Sequence, residues 1–278
     1  MQQRLRARRL RQNSLKTVVL AALLWAAADT VYAASKIAIV LDDMGYSYRS
    51  GSAALKLKGE ITYAFLPKAP YTKRLAKKAH KRGKEIIVHL PMQSMTGHAL
   101  DEGALIMDMT RRHFYKTLLD DIDAVPHAVG ANNHMGSLLT RHPGAMQWLM
   151  TGLKSYGNLY FIDSVTSDDS VAGRIAKESE VPTAKRDVFL DHVRNRKTIE
   201  RQFNRLLRTA KKRGSAIGIG HPYPETLAVL RKMLPKLAQH GVVLVKASKL
   251  VHTSKRQKTW LASSSRSHKV AKNLKLSR

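Results

Sequence analysis

Residues 36–45 read KIAIVLDDMG. The first six are almost continuously apolar, the pattern of a strand buried on both faces of a parallel sheet. Two carboxylates follow at once, Asp42 and Asp43, and then Met44-Gly45. Adjacent side chains on a straight strand point to opposite faces. Both carboxylates therefore reach one pocket only if the chain turns at the strand's end, and Met44-Gly45 permits that turn. Two carboxylates held close resist joint ionisation unless a cation neutralises one of them.

The same pattern recurs outward from this stretch. Residues 61–66 (ITYAFL, stopped by Pro67), 85–90 (EIIVHL, stopped by Pro91), 128–132, 159–162, 181–185, 215–219 and 242–245 read as strands. Between them, residues 71–82 (ended by Gly83), 111–124, 143–155, 170–178, 196–213 (ended by Gly214) and 224–240 read as helices, the last kinked at Pro235. Alternation of this kind implies a parallel sheet covered by helices. A closed α/β barrel takes roughly 250 residues. The predicted fold is therefore α/β, a single irregular (β/α) barrel of about seven to eight mostly parallel strands, with an open doubly wound sheet as the alternative. No G-x-G-x-x-G or G-K-S/T loop follows a strand, which argues against nucleotide chemistry.

Sites in parallel α/β folds lie at the carboxyl ends of the strands. Here those ends carry Asp42-Asp43, His89, Asn132-Asn133-His134, Asp163-Ser164 and His221-Pro222. Scattered surface polarity would not track strand ends in this way. Imidazole and carboxylate ligands without thiolate suit a divalent metal such as zinc, cobalt, nickel or manganese. The chain has no Cys and no Ser in a G-x-S-x-G elbow, so a covalent acyl-enzyme is not expected. Asp191, after the apolar triplet at 188–190, is a secondary candidate, and Arg186 is placed to hold a carboxylate. Asn132 and Asn133 either act in the site or shape a loop. Met44, Met92 and Met135 read as packing residues.

The net charge of +29 invites a nucleic-acid reading, but the termini redirect it. Arg4, Arg6, Arg8, Arg9 and Arg11 precede an apolar run at 17–28, and Val31-Tyr32-Ala33 offers small residues for cleavage after Ala33. That is the layout of a secretory signal, and the run falls short of the ~20 residues that span a bilayer. Residues 1–33 are thus a predicted signal peptide, 34–251 the folded domain and 252–278 a disordered basic tail. Without the signal the charge is +24, and without the tail as well about +16. The expected location is the periplasm. A basic exported protein is drawn to anionic envelope polymers or lipid headgroups, with the tail against an anionic membrane surface, and no nucleic acid is expected.

The segments at 40–45 (VLDDMG), 88–92 (VHLPM), 129–137 (VGANNHMGS), 161–167 (FIDSVTS) and 219–224 (IGHPYP) together resemble the divergent polysaccharide deacetylase family of the YibQ type, a distant relative of NodB-like deacetylases. The resemblance runs from about residue 36 to 248. It implies an irregular α/β barrel, metal-dependent hydrolysis of N-acetyl groups with Zn2+ as the expected metal, and an envelope polysaccharide or peptidoglycan-derived glycan as the expected partner. It further implies Asp42 as general base, Asp43 and His89 as metal ligands, Asp163 as the acid that orients the base, and His221 as general acid. The second motif of the relatives carries another His four residues after the first. Here that position is Gln93, and His134 is the expected substitute ligand. The competing reading is a non-catalytic envelope protein of the same fold that binds glycan or a protein partner.

Overall fold

The computed structural model describes residues 34–97 and 99–253, and the expected signal and most of the expected tail lie outside them. Nine strands form one sheet: β1 (Ser35–Met44), β2 (Thr62–Phe65), β3 (Glu85–Met92), β4 (Gly130–Met135), β5 (Tyr160–Asp163), β6 (Thr183–Lys185), β7 (Val188–Phe189), β8 (Ser215–Gly220) and β9 (Val242–Leu244). The spatial order is β6-β5-β4-β3-β2-β1-β8-β7, with β9 beside the start of β1, and every pairing is parallel. The two edges of this sheet are one stretch of chain. Residues 183–185 pair with β5, and after two residues 188–189 pair with β8. The sheet therefore closes on itself as an irregular barrel, not an open doubly wound sheet.

Strand alternation divides the apolar residues into two cores. Ala38, Val40, Ala64, Ile87, Ile162, Ile217 and Ile219 fill the barrel, capped below by Ala247 and Leu250. Their neighbours Ile37, Ile39, Leu41, Tyr63, Phe65, Val88 and Phe161 face the helices. The helix Arg196–Arg213 buries Ile199, Phe203, Leu206 and Leu207 along one stripe. Each such side chain stabilises the fold by about 1.5–3 kcal/mol. Its close approach to β8 depends on Gly218, where a Cβ would sit 2.8 Å from Leu206.

Several element boundaries differ from the sequence expectation. The helix expected to reach residue 240 ends at Met233, and Leu234–Lys236 and Ala238–His240 are separate 3-10 turns. Pro235 lacks the N–H that would continue the helix. A short helix, Tyr48–Ala54, was not expected; Ser47 caps it by accepting from Ser50 N. The fold also runs past the expected boundary at 251, because His252 pairs with Thr183 at the edge of β6 through two backbone hydrogen bonds.

Candidate metal centre and its relatives

All strands run the same way, so their carboxyl ends form one upper rim. Asp42 continues the inward series Ala38 and Val40, and it is buried. Asp43 would face outward, but its φ of 54° turns the chain, and the register with β2 shifts between Leu41 and Met44. The turn expected at Met44-Gly45 is thus made one residue earlier, at Asp43 itself. Asp tolerates the left-handed region better than most residues. Met135 (φ 52°) bends the end of β4 in the same manner, and Val165 (φ 50°) lies two residues beyond the end of β5. Such conformations cost on the order of 1–3 kcal/mol each and concentrate at functional sites.

His89 lies in line with Glu85 and Ile87, His134 in line with Asn132, and His221 in line with Ile217 and Ile219. Their rings meet over the barrel mouth. Asp43 Oδ1 is 3.2 Å from His89 Nε2 and 3.1 Å from His134 Nδ1. Those two nitrogens are 3.1 Å apart. Asp43 Oδ2 is 3.7 Å from His221 Nε2.

The hydrogen bonds behind the rings fix which nitrogen faces the centre. Asn132 Nδ2 donates to Asp42 Oδ1 at 2.9 Å and to Ser164 Oγ at 3.2 Å. Its Oδ1 therefore accepts from His89 Nδ1, 2.8 Å away, and the Nε2 lone pair is left facing Asp43. His134 Nε2 lies 3.1 Å from Asp101 Oδ2, so its Nδ1 faces the same point. Asp191 grips His221 twice, accepting from the backbone N–H at 2.7 Å and from Nδ1 at 2.9 Å.

Electrostatics follow this geometry. Burial raises the Asp42 carboxyl above its usual range, although His89 and His221 pull against it. Burial also opposes charge on Asp43, but the His134 and His89 imidazoles hold its carboxyl well below the usual range. Burial disfavours a charged His89, yet Asp42 and Asp43 carry its pKa above normal. The same contest at His221 is won by Asp191 and the two aspartates, and its pKa rises to about 9.

One donor atom from each of Asp43, His89 and His134 lies within 4.8 Å of the others. Among the described residues, Asp43 Oδ1 is buried without a hydrogen-bond partner. Three lone pairs converging on one point suit a divalent cation, with a proton as its natural competitor. The three residues expected as ligands thus come together, with Asp42 and His221 beside them. Asp163 does not join them. By alternation it points away from the pocket, where it accepts from Val165 N at 2.9 Å and Ser170 Oγ at 2.8 Å. No hydrogen bond among the described residues links it to Asp42, which is held by Asn132 instead. Arg186 likewise bonds the carbonyls of Ser164 and Val165. Asp101 was missed altogether, since it lies in a loop and follows no strand end.

Residues 39–251 match the model of the divergent polysaccharide deacetylases. The chain belongs to that family. It is 41% identical over 219 residues to YibQ of Escherichia coli, covering 79% of this chain and 68% of that protein. The crystal structure of ATU2773 from Agrobacterium tumefaciens superposes with a TM-score of 0.76 at 25% identity, covering 80% of this chain and 91% of that one. A variant of BA3943, a CE4 family pseudoenzyme, shares the fold with a TM-score of 0.50 at 14% identity, covering 78% of this chain and 67% of that one. This is the NodB-like barrel expected from the motifs.

Proposed function

We propose that this protein is an exported, zinc-dependent deacetylase that hydrolyses N-acetyl groups of an envelope polysaccharide, such as a peptidoglycan-derived glycan. The observation that carries this reading is the convergence of Asp43, His89 and His134 on one point at which Asp43 Oδ1 has no donor. Family membership supplies the substrate class, and the basic, apolar and small-residue sequence at 1–33 supports export.

Zinc held by those three ligands would supply Lewis acidity toward an amide carbonyl and would acidify water. The chain's own groups do the rest. Asp42, with its raised pKa, accepts a proton from the attacking water, and Asn132 keeps its carboxylate aimed at the pocket. His221 stands on the other side of Asp43 with its Nε2 exposed to the centre. Asp191 keeps that ring protonated at neutral pH, so it delivers the proton that the departing amine needs as the C–N bond breaks. Acetate and a free amino sugar are the products.

The test is acetate release by the zinc-loaded protein from N-acetylglucosamine oligomers and peptidoglycan fragments. Turnover is expected to fall about 10²–10⁴-fold in Asp42→Asn. Zinc-loaded protein that binds these glycans without releasing acetate, with an affinity indifferent to Asp42→Asn, would establish the non-catalytic reading instead.

A further inference from the structure

We infer that Asp101 is a positioning residue for His134, part of a device by which this chain supplies its third ligand from β4. The inference rests on the metal reading above. Its starting point is Gln93, which stands where the related second motif carries a His. Gln93 does not face the site. Its Oε1 accepts from Met107 N at 2.8 Å, its backbone N–H donates to Leu105 at 2.9 Å, and its carbonyl accepts from Leu138 and Leu139. The residue thus staples the long loop after β3 to the chain that follows β4. Leu105 N–H completes the fastening by donating to Pro91 at 2.9 Å.

That stapled loop carries Asp101 over the end of β4. Its Oδ2 lies 3.1 Å from His134 Nε2, and its Oδ1 accepts from the hydroxyl of Tyr46, which comes from the loop after β1. The imidazole stands between Asp101 and Asp43, touching one through each nitrogen. Asp101 is therefore not a fourth ligand. Its Oδ2 is the acceptor nearest Nε2, which favours the proton on that nitrogen and leaves Nδ1 as the donor toward the centre. His89 uses the opposite arrangement, with Nδ1–H on Asn132 and Nε2 forward. The two rings present different nitrogens because their holders sit on different sides. Asp101 thus stands to His134 as Asn132 stands to His89, behind the ring and away from the centre.

The experiment is nitrogen-15 NMR of histidine-labelled, metal-free protein at a pH where His134 is neutral, paired with zinc affinity by chelator competition. The wild type is expected to show His134 as the Nε2–H tautomer. Asp101→Ala should lose that preference and bind zinc about 10–100-fold more weakly. Asp101→Asn, whose amide oxygen still accepts, should keep the tautomer and lose less affinity. Tyr46→Phe should lose less than Asp101→Ala. A wild-type Nδ1–H tautomer, or Asp101→Ala that keeps both tautomer and affinity, overturns the inference. So does weaker binding with an unchanged tautomer, which a merely structural residue would give. If the wild type binds no zinc, the metal reading fails, and the tautomer of the metal-free protein still decides whether Asp101 orients the ring.

Discussion

The two ends of the barrel bury the same kind of group and treat it in opposite ways. Glu85 and His89 sit on one strand, four residues or about 13 Å apart, on the same inward face. At the lower end Glu85 Oε1 accepts from Thr62 Oγ1 at 2.8 Å, Tyr160 OH at 3.0 Å and Ser248 N at 3.1 Å. Thr62 in turn accepts from Ala247 N at 3.0 Å, which ties in the segment that closes the barrel. At the upper end Asp43 Oδ1 faces imidazole nitrogens at 3.1 and 3.2 Å and, among the described residues, has no hydrogen-bond partner. A buried carboxylate is thus uninformative by itself. What its oxygens face separates a structural plug from a candidate site.

The widest separation of the two ends comes from a crossed pair of variants. Glu85→Ala strands two buried donors and one half-buried donor, at a cost of about 3–5 kcal/mol by thermal or urea unfolding, while zinc affinity of the folded protein should be unchanged. Asp43→Asn, which keeps the left-handed backbone, should bind zinc more than about 100-fold more weakly by chelator competition, the range already lost when a mere ligand holder is removed. An Asp43→Asn protein that still binds zinc normally would erase the distinction.

The pH dependence of metal-free stability comes next. His221 has a folded pKa of about 9 against roughly 6.5 unfolded. Its contribution is fully present below pH 6.5 and is lost as pH rises through 9, at most about 3 kcal/mol. The depressed Asp43 carboxyl acts with the opposite sign: its contribution holds above about pH 4 and fades toward acid. Urea unfolding across pH 4 to 10 should therefore show a maximum between about 4 and 6.5, and saturating zinc should recover the alkaline loss. A smaller effect is expected from Asn132→Ala, which removes the holder of His89 and of Asp42. Zinc affinity should drop about 10–100-fold with little change in the fold.

The smallest effect sharpens the comparison by adding a third carboxylate. Asp121, on the helix Arg111–Ala124, is buried with neither oxygen hydrogen-bonded, and burial lifts its pKa to about 8 despite Lys68. Among the described residues no imidazoles converge on it, so it is an orphan without a site. Its folded pKa is raised, so stability is lost as pH climbs through 8. Asp121→Asn should gain about 1–2 kcal/mol at pH 9 and leave zinc binding untouched, read by unfolding and chelator competition.

The barrel and the three candidate ligands were legible in the sequence because both depend on short-range regularities. Buried parallel strands read as apolar runs, and a site at strand ends places its residues just after them. Asp43, His89, His134 and His221 all sit there. Asp163 sits there too, yet faces away, since which of two adjacent residues turns inward depends on a bulge that composition does not announce. β5 ends without the bulge that turns Asp43 inward. Asp191 was visible only as a secondary candidate, because β7 is two residues long. Asp101 was invisible, since its position depends on Gln93 fastening a loop to a distant turn. The closure of the barrel by residues 183–189 was equally hidden, as one extended run pairs with two different partners.

The fold's own ends carry a further consequence. Ser35 opens β1 beside Val242, and His252 closes onto Thr183, the first residue of β6. Entry and exit therefore share the lower rim, and Asp42 lies seven residues along β1, about 23 Å away. A domain held from either end, or from both, has a footing on one side and its open mouth on the other. A bulky fusion at either end leaves the mouth clear.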